Sequence, residues 1–242
     1  MANLAWIPEG SDIREEGDNL FITPPSEWMY VGYGLSGEFM SELGGEIKIS
    51  CTCHTSGRCN PFYASSPKGT TSGCAGSCTN CTMTTSLISS DFEFRTGGYI
   101  NPSIVPYFMN ADEQLPAAFE VMYESEEVNS TISQFLENIY QGSTIPSYIE
   151  GKDYVEAPDG YKIAFVNICG RATPLLVPEN VVLESVAAGQ KASCSCTSGS
   201  CKLKKKGIII GSATWCEGDC TGTCTLTIST SLIQFSENSF DF

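Results

Sequence analysis

The stretch "KASCSCTSGSCKLKKKGIIIGSATWCEGDCTGTCTLT", Lys191–Thr227, places Cys194, Cys196, Cys201, Cys216, Cys220 and Cys224 within 31 residues. An earlier stretch, "KISCTCHTSGRCNPFYASSPKGTTSGCAGSCTNCTMT", Lys48–Thr84, repeats it. There Cys51, Cys53, Cys59, Cys74, Cys78 and Cys81 precede their counterparts by 143, 143, 142, 142, 142 and 143 residues. Six matches at a nearly constant offset mark an internal duplication, and a duplicated sequence is expected to keep one fold.

Working outward, Lys48 and Ser50 match Lys191 and Ser193, and "REEGDNLFI" (Arg14–Ile22) aligns with "VEAPDGYKI" (Val155–Ile163). Downstream, "SLISSDFEF" from Ser86 echoes "SLIQFSENSFDF" from Ser231. These matches predict two Cys-rich modules, residues 1–98 and 143–242, with residues 99–142 as an acidic helical linker. In that linker Leu115, Phe119, Met122, Ile132, Phe135, Leu136 and Ile139 recur at helical spacing, with a break expected near Asn129 and Ser130. The helix is expected to lie between the modules and to bury Phe119, Met122, Phe135 and Ile139. The modules themselves read as strands: "YKIAFVNI", "LVPENVVLESV", "GIIIGSATW" and "CTLTISTSLIQF" combine β-branched and aromatic residues, and "APDGYK" reads as a hairpin turn. The expected fold class is mainly β with a helical insert, as two tandem modules.

The twelve repeated cysteines admit two chemistries. Thiolates ligate zinc and iron–sulfur clusters, and each module offers C-x-C-x4/5-C followed by C-x3-C-x2/3-C. The spacing of Cys194, Cys196 and Cys201 resembles the zinc-binding post-SET segment of histone methyltransferases; the motifs of the SET domain itself are absent, so no activity is carried over. Cys74, Cys78 and Cys81 are spaced like the [4Fe–4S] ligands of radical-SAM enzymes, but the aromatic residue usual before the last cysteine is missing and the second module departs from the spacing. Alternatively, an even count of six per module suits three disulfides, for which fifteen connectivities exist. The N-terminal stretch has no basic segment followed by an apolar run, so no signal peptide is expected and thiols would stay reduced. That expectation, and the C-x-C pair that can chelate one ion but cannot readily bridge itself, place metal first and disulfides second. The candidate metal ligands are therefore Cys51, Cys53, Cys59, Cys74, Cys78, Cys81, Cys194, Cys196, Cys201, Cys216, Cys220 and Cys224, holding zinc or an iron–sulfur cluster. The corresponding localisation is cytoplasmic, or extracellular if the cysteines are disulfides.

Other residues narrow the function classes. With 242 residues and 41% hydrophobic content, the chain can bury a core without cysteine. Its formal charge of −15, with no basic residue between Arg95 and Lys152, repels phosphate backbones, so nucleic acid is not an expected partner. The run "KLKKK", Lys202–Lys206, is expected at a solvated loop tip. No stretch approaches a membrane span. His54, the single histidine, offers an extra ligand or an exposed turn residue, and it leaves no His-based catalytic site to duplicate. Cys169 in "VNICGRA" has no counterpart and is expected as a free, buried residue on a strand. The sequence thus predicts no catalytic site. It leaves a metal-binding module pair or a disulfide-stapled structural protein, the latter allowing a homo-oligomer, a filament or another protein partner.

Overall fold

The computed structural model describes residues 5–66, 69–151, 153–181, 188–208, 211–218, 220, 224–228 and 231–236. The chain divides into two compact units, Met1–Asn101 and Pro102–Phe242. In the first, the strands are β1 (Ala5–Ile7), β2 (Asp12–Glu16), β3 (Asn19–Thr23), β4 (Met29–Gly34) and β5 (Phe39–Leu43), followed by β6 (Ile47–Cys53), β7 (Asn60–Ser66), β8 (Gly69–Ala75), β9 (Cys81–Leu87) and β10 (Glu93–Ile100). An antiparallel sheet runs β2-β3-β6-β9-β10-β4-β5, and a smaller one runs β1-β8-β7. Alternation explains the core: Leu20 and Ile22 of β3, Ile47 and Ile49 of β6, and Leu87 of β9 are all fully buried in one cluster with Ile7 and Tyr99.

The second unit begins with β11 (Tyr107–Phe108) and a 3₁₀ turn, Glu120–Glu124, followed by α1 (Glu126–Tyr140). Its later strands are β12 (Ile149–Glu150), β13 (Tyr154–Glu156), β14 (Tyr161–Ile168), β15 (Arg171–Pro178), β16 (Ala188–Gly189), β17 (Lys191–Cys196), β18 (Lys202–Ile208), β19 (Gly211–Glu217), β20 (Cys224–Ile228) and β21 (Ser231–Ser236). One sheet has the order β12-β13-β17-β20-β21; another joins β11, β14 and β15, with β16 also paired to β14; β18 and β19 form a ribbon. Ile163, Phe165 and Leu176 from the β14–β15 sheet share a core with Val155, Ala192, Leu226 and Ile228 of the five-stranded sheet. Almost every residue of β14 and β15 is buried, which is why "YKIAFVNI" reads as a near-continuous apolar run rather than an alternating one.

The β-rich class with one helical insert holds, and several local expectations change. The helix packs within the second unit, against β14 and β15. The expected break is absent, since Asn129 and Ser130 lie inside the helix, and the helical spacing from Leu115 is not α-helix before Glu126, where the Ser125 side chain caps α1 by accepting a hydrogen bond from the Val128 N–H. Its buried stripe is Val128, Ile132, Leu136 and Tyr140, four residues apart, whereas Phe135 and Ile139 are only half-buried. Phe135 meets Phe108 edge-on, with ring centroids 5.2 Å apart. Phe119 and Met122 are buried as expected, ahead of the helix.

"APDGYK" makes a turn closed by the Tyr161 N–H to the Pro158 carbonyl, 3.0 Å, but it is a corner: β13 on one side pairs with β17, and β14 on the other pairs with β15. The aligned "REEGDNLFI" instead forms the β2–β3 hairpin, so the two stretches are not equivalent. Ser86 and Leu87 end β9 while Ser231 opens β21, so that echo also falls on different strands. The run "KLKKK" is not a loop tip; it forms most of β18. Within "GIIIGSATW", residues 209–210 lie outside the described residues.

Replacing fully buried Ile132 by Ala should lower the stability of the second unit by ~2–5 kcal/mol. Exposed Glu137→Ala should change it by no more than about 0.5 kcal/mol. Urea titrations followed by tryptophan fluorescence and circular dichroism measure both.

Candidate functional site

Period-two alternation puts Cys51 and Cys53 on the same face of β6 as Ile47 and Ile49, and Cys81 opens β9 directly opposite Cys53. The β7–β8 hairpin, inserted between these two strands, belongs to the other sheet and returns to the same cysteines. Three bonds tie it down. Cys51–Cys74 joins β6 to β8, Cys53–Cys78 joins β6 to the loop after β8, and Cys59–Cys81 joins the loop before β7 to β9.

The second module repeats each feature. Cys196 stands opposite Cys224 in the β17–β20 ladder, as Cys53 does opposite Cys81. The bridges are Cys194–Cys216, Cys196–Cys220 and Cys201–Cys224. In both, the order is first to fourth, second to fifth, third to sixth. The hairpin registers also agree: Asn60 pairs with Ala75 and Ser66 with Gly69, while Lys202 pairs with Glu217 and Ile208 with Gly211. The flanking strands correspond as β2-β3-β6-β9-β10 and β12-β13-β17-β20-β21. Leu20 faces Ile49 and Val155 faces Ala192, so the structural match between β3 and β13 is 135 residues, not the offset of the cysteines.

The metal expectation is therefore corrected. All twelve candidate ligands are consumed in pairs, with Cα–Cα separations from 5.6 Å to 5.9 Å, the ordinary range for a disulfide. A sulfur bonded to sulfur carries no thiolate charge, so neither zinc nor an iron–sulfur cluster is held by this arrangement. The C-x-C spacing is satisfied by each member reaching a different strand or loop. His54 is exposed beside Cys53, and its backbone N–H donates to the Asn80 carbonyl at 3.0 Å.

A feature the cysteine count concealed is the glycine at the centre of "CAGSC" and "CEGDC". A Cβ on Gly76 would lie 2.1 Å from the Arg58 carbonyl oxygen, and one on Gly218 would lie 2.1 Å from that of Ser200. Each glycine lets the two ends of the hairpin pinch together where the bridges cross it. Its presence in the middle of both C-x3-C segments was the available signal.

Cys169 is the free cysteine among the described residues, and it is fully buried. It sits not on a strand but at the two-residue turn joining β14 and β15, with φ of +53°, followed by Gly170 at +83°. Positive φ at both positions is the geometry of a tight hairpin turn. The Asn167 side-chain oxygen accepts the Gly170 N–H at 2.9 Å and holds it. Burial pushes the Cys169 thiol up to about 11, a small hydrogen bond from Thr131 opposing it, so it stays protonated at neutral pH.

Two lysines of β18 meet carboxylates distant in sequence: Lys205 reaches Glu150 at 3.2 Å and Lys206 pairs with Glu124. Such partly exposed pairs contribute at most about 1 kcal/mol each. Among the described residues no helix is long and apolar enough to cross a membrane. No protein-family model, curated protein or solved structure matches the chain.

The intact mass, measured without reductant, should be ~12 Da below that of the fully reduced chain, two hydrogens for each of six bridges. Ellman's reagent should find no reactive thiol in the native protein and one, Cys169, after unfolding in guanidinium. Gly76→Ala and Gly218→Ala should each destabilise by ~1–3 kcal/mol, because the obstructing atom is backbone oxygen and cannot swing away. Thermal melts of the two oxidised variants read this out.

Proposed function

We propose that this chain is a non-enzymatic, disulfide-stapled structural or interaction protein working in an oxidising, extracellular setting as a subunit of a homo-oligomeric or filamentous assembly. The observation that carries the reading is the recurrence of one connectivity and one register in two modules whose surroundings differ. What has been kept is a stapled scaffold. Six structural disulfides persist where thiols are not continually reduced, which favours the extracellular side over the cytoplasm.

The assembly part of the reading is supported by β5, an edge strand of the large sheet in the first unit. Its Phe39 and Leu43 are exposed, and Leu35 in the preceding turn is 65% exposed. An edge strand offers unpaired backbone groups, and natural sheets ordinarily protect such an edge with charge or proline. Here Phe39 and Leu43 stand exposed on the strand, and Glu42 is its one charge. The catalytic reading is disfavoured because the single histidine lies exposed beside a bridge and the cysteines that would attract a chemical role are spent as cross-links.

Light scattering coupled to size exclusion, over a concentration series of the oxidised protein, tests the assembly. A mass above the monomer is expected, and Leu43→Lys should reduce it. A strict monomer throughout the series would refute self-assembly.

A further inference from the structure

In the first module the sulfurs of Cys51, Cys59 and Cys74 all lie within 4.8 Å of one another, and in the second those of Cys194, Cys201 and Cys216 do the same. Each triad contains one complete bridge and one sulfur of its neighbour. A thiolate released at Cys59 would stand beside the Cys51–Cys74 bond, and one released at Cys201 beside Cys194–Cys216.

Whether such a thiolate is released depends on which sulfur of the neighbouring bridge an incoming thiol attacks, and access governs that choice. In the first module Cys59 is 8% exposed and Cys81 is half-buried. Attack therefore falls on Cys81, and Cys59 leaves. The second module reverses the exposure: Cys224 is 8% exposed and Cys201 is half-buried. Attack there falls on Cys201, and the departing Cys224 lies outside the triad.

We propose that the first module is a covalent capture site for a small thiol at Cys81, and that the second module, despite its matching bridges, is not. An external thiolate attacks the Cys81 sulfur, forms a mixed disulfide with it and expels the Cys59 thiolate. Cys59 then attacks Cys74, forming Cys59–Cys74 and expelling the thiolate of Cys51, which is more exposed than Cys74 and better solvated. The second step exchanges one disulfide for another with no net oxidation. It also removes the nucleophile that would otherwise attack back at Cys81 and release the captured thiol, so the adduct persists. At the second module the Cys224 thiolate keeps its neighbour within reach and reverses the adduct. The bridge Cys53–Cys78 lies outside the triad, and an adduct there reverses in the same way.

The test treats the oxidised protein with a limiting amount of reduced glutathione, quenches in acid, alkylates the free thiols and maps the peptides by mass spectrometry. Expected are glutathione on Cys81, a Cys59–Cys74 cross-link and an alkylated Cys51, with Cys194–Cys216 intact. Alkylated Cys59 alongside an intact Cys51–Cys74 bridge would overturn the proposal, as would glutathione on Cys59, the absence of any Cys81 adduct, or an equally lasting adduct in the second module. The double variant Cys51→Ala/Cys74→Ala provides a second measurement if it folds. Without an acceptor bridge its Cys81 adduct should decay several-fold faster after free glutathione is removed; an unchanged lifetime would also overturn the proposal. If the variant fails to fold, the peptide map of the natural chain decides alone.

Discussion

Side chains on a strand point alternately to opposite faces, and the rest of each module depends on that constraint. It places both sulfurs of a C-x-C pair on the face that carries the core residues, Ile47 and Ile49 in the first module and Ala192 in the second, so the inserted hairpin is met by sulfur next to the apolar core. Hydrophobic burial holds one end of the ladder and covalent bonds hold the other. Each bridge closes 22 to 25 residues, which in a chain-entropy account contributes about 3 kcal/mol by restricting the unfolded state. The glycine pinch is part of the same device, because the bridges reach across only if the hairpin ends come close.

The two copies show how much of a duplicated unit is dictated from within. Ladder register, hairpin register, bridge order and pinch glycine are the same, while the neighbouring elements differ. The first copy extends its sheet through β10 into β4 and β5; the second shares its core with the buried β14–β15 hairpin, on which α1 packs. There the Arg171 guanidinium, itself buried, lies 4.7 Å from the Phe119 ring centre. A module whose interior is fixed by covalent bonds can tolerate different companions, because little of its geometry is delegated to them.

The duplication was legible because cysteine is rare and its spacing survived. What the cysteines bind was not, since a C-x-C pair serves a chelate and two separate bridges equally well, and a spacing carries no record of the partner. The expectation of no signal peptide, and of reduced thiols with it, then tips a sequence reading toward metal. Flanking matches mislead for a geometric reason: β3 and β13 are equivalent by ladder register, yet the strands inserted before the cysteines, β4 and β5 in one copy and β14 to β16 in the other, differ in length, so no single offset aligns both strands and cysteines. "KLKKK" looked like a loop because strand propensity is low for lysine, but pairing with β19 decides its conformation. The helix is visible from its spacing, but the break expected near Asn129 and Ser130 is not there, because Ser125 caps a single helix that runs through both.

The bridge order also determines how a module answers tension. Between Cys51 and Cys81 the chain runs 30 peptide steps, but the shortest covalent route passes from Cys51 to Cys53, across to Cys78 and on to Cys81, five steps and one bridge. In the second module the route through Cys196 and Cys220 takes six. A fully extended chain gains about 3.5 Å per residue, so a pull on both ends leaves roughly 80 Å of each module's contour slack and unreachable by force while the bridges stand. The hairpins then bear almost none of the strain, and each bridged segment, Cys51 to Cys81 or Cys194 to Cys224, behaves as a nearly inextensible link whose spare length only a reductant can release.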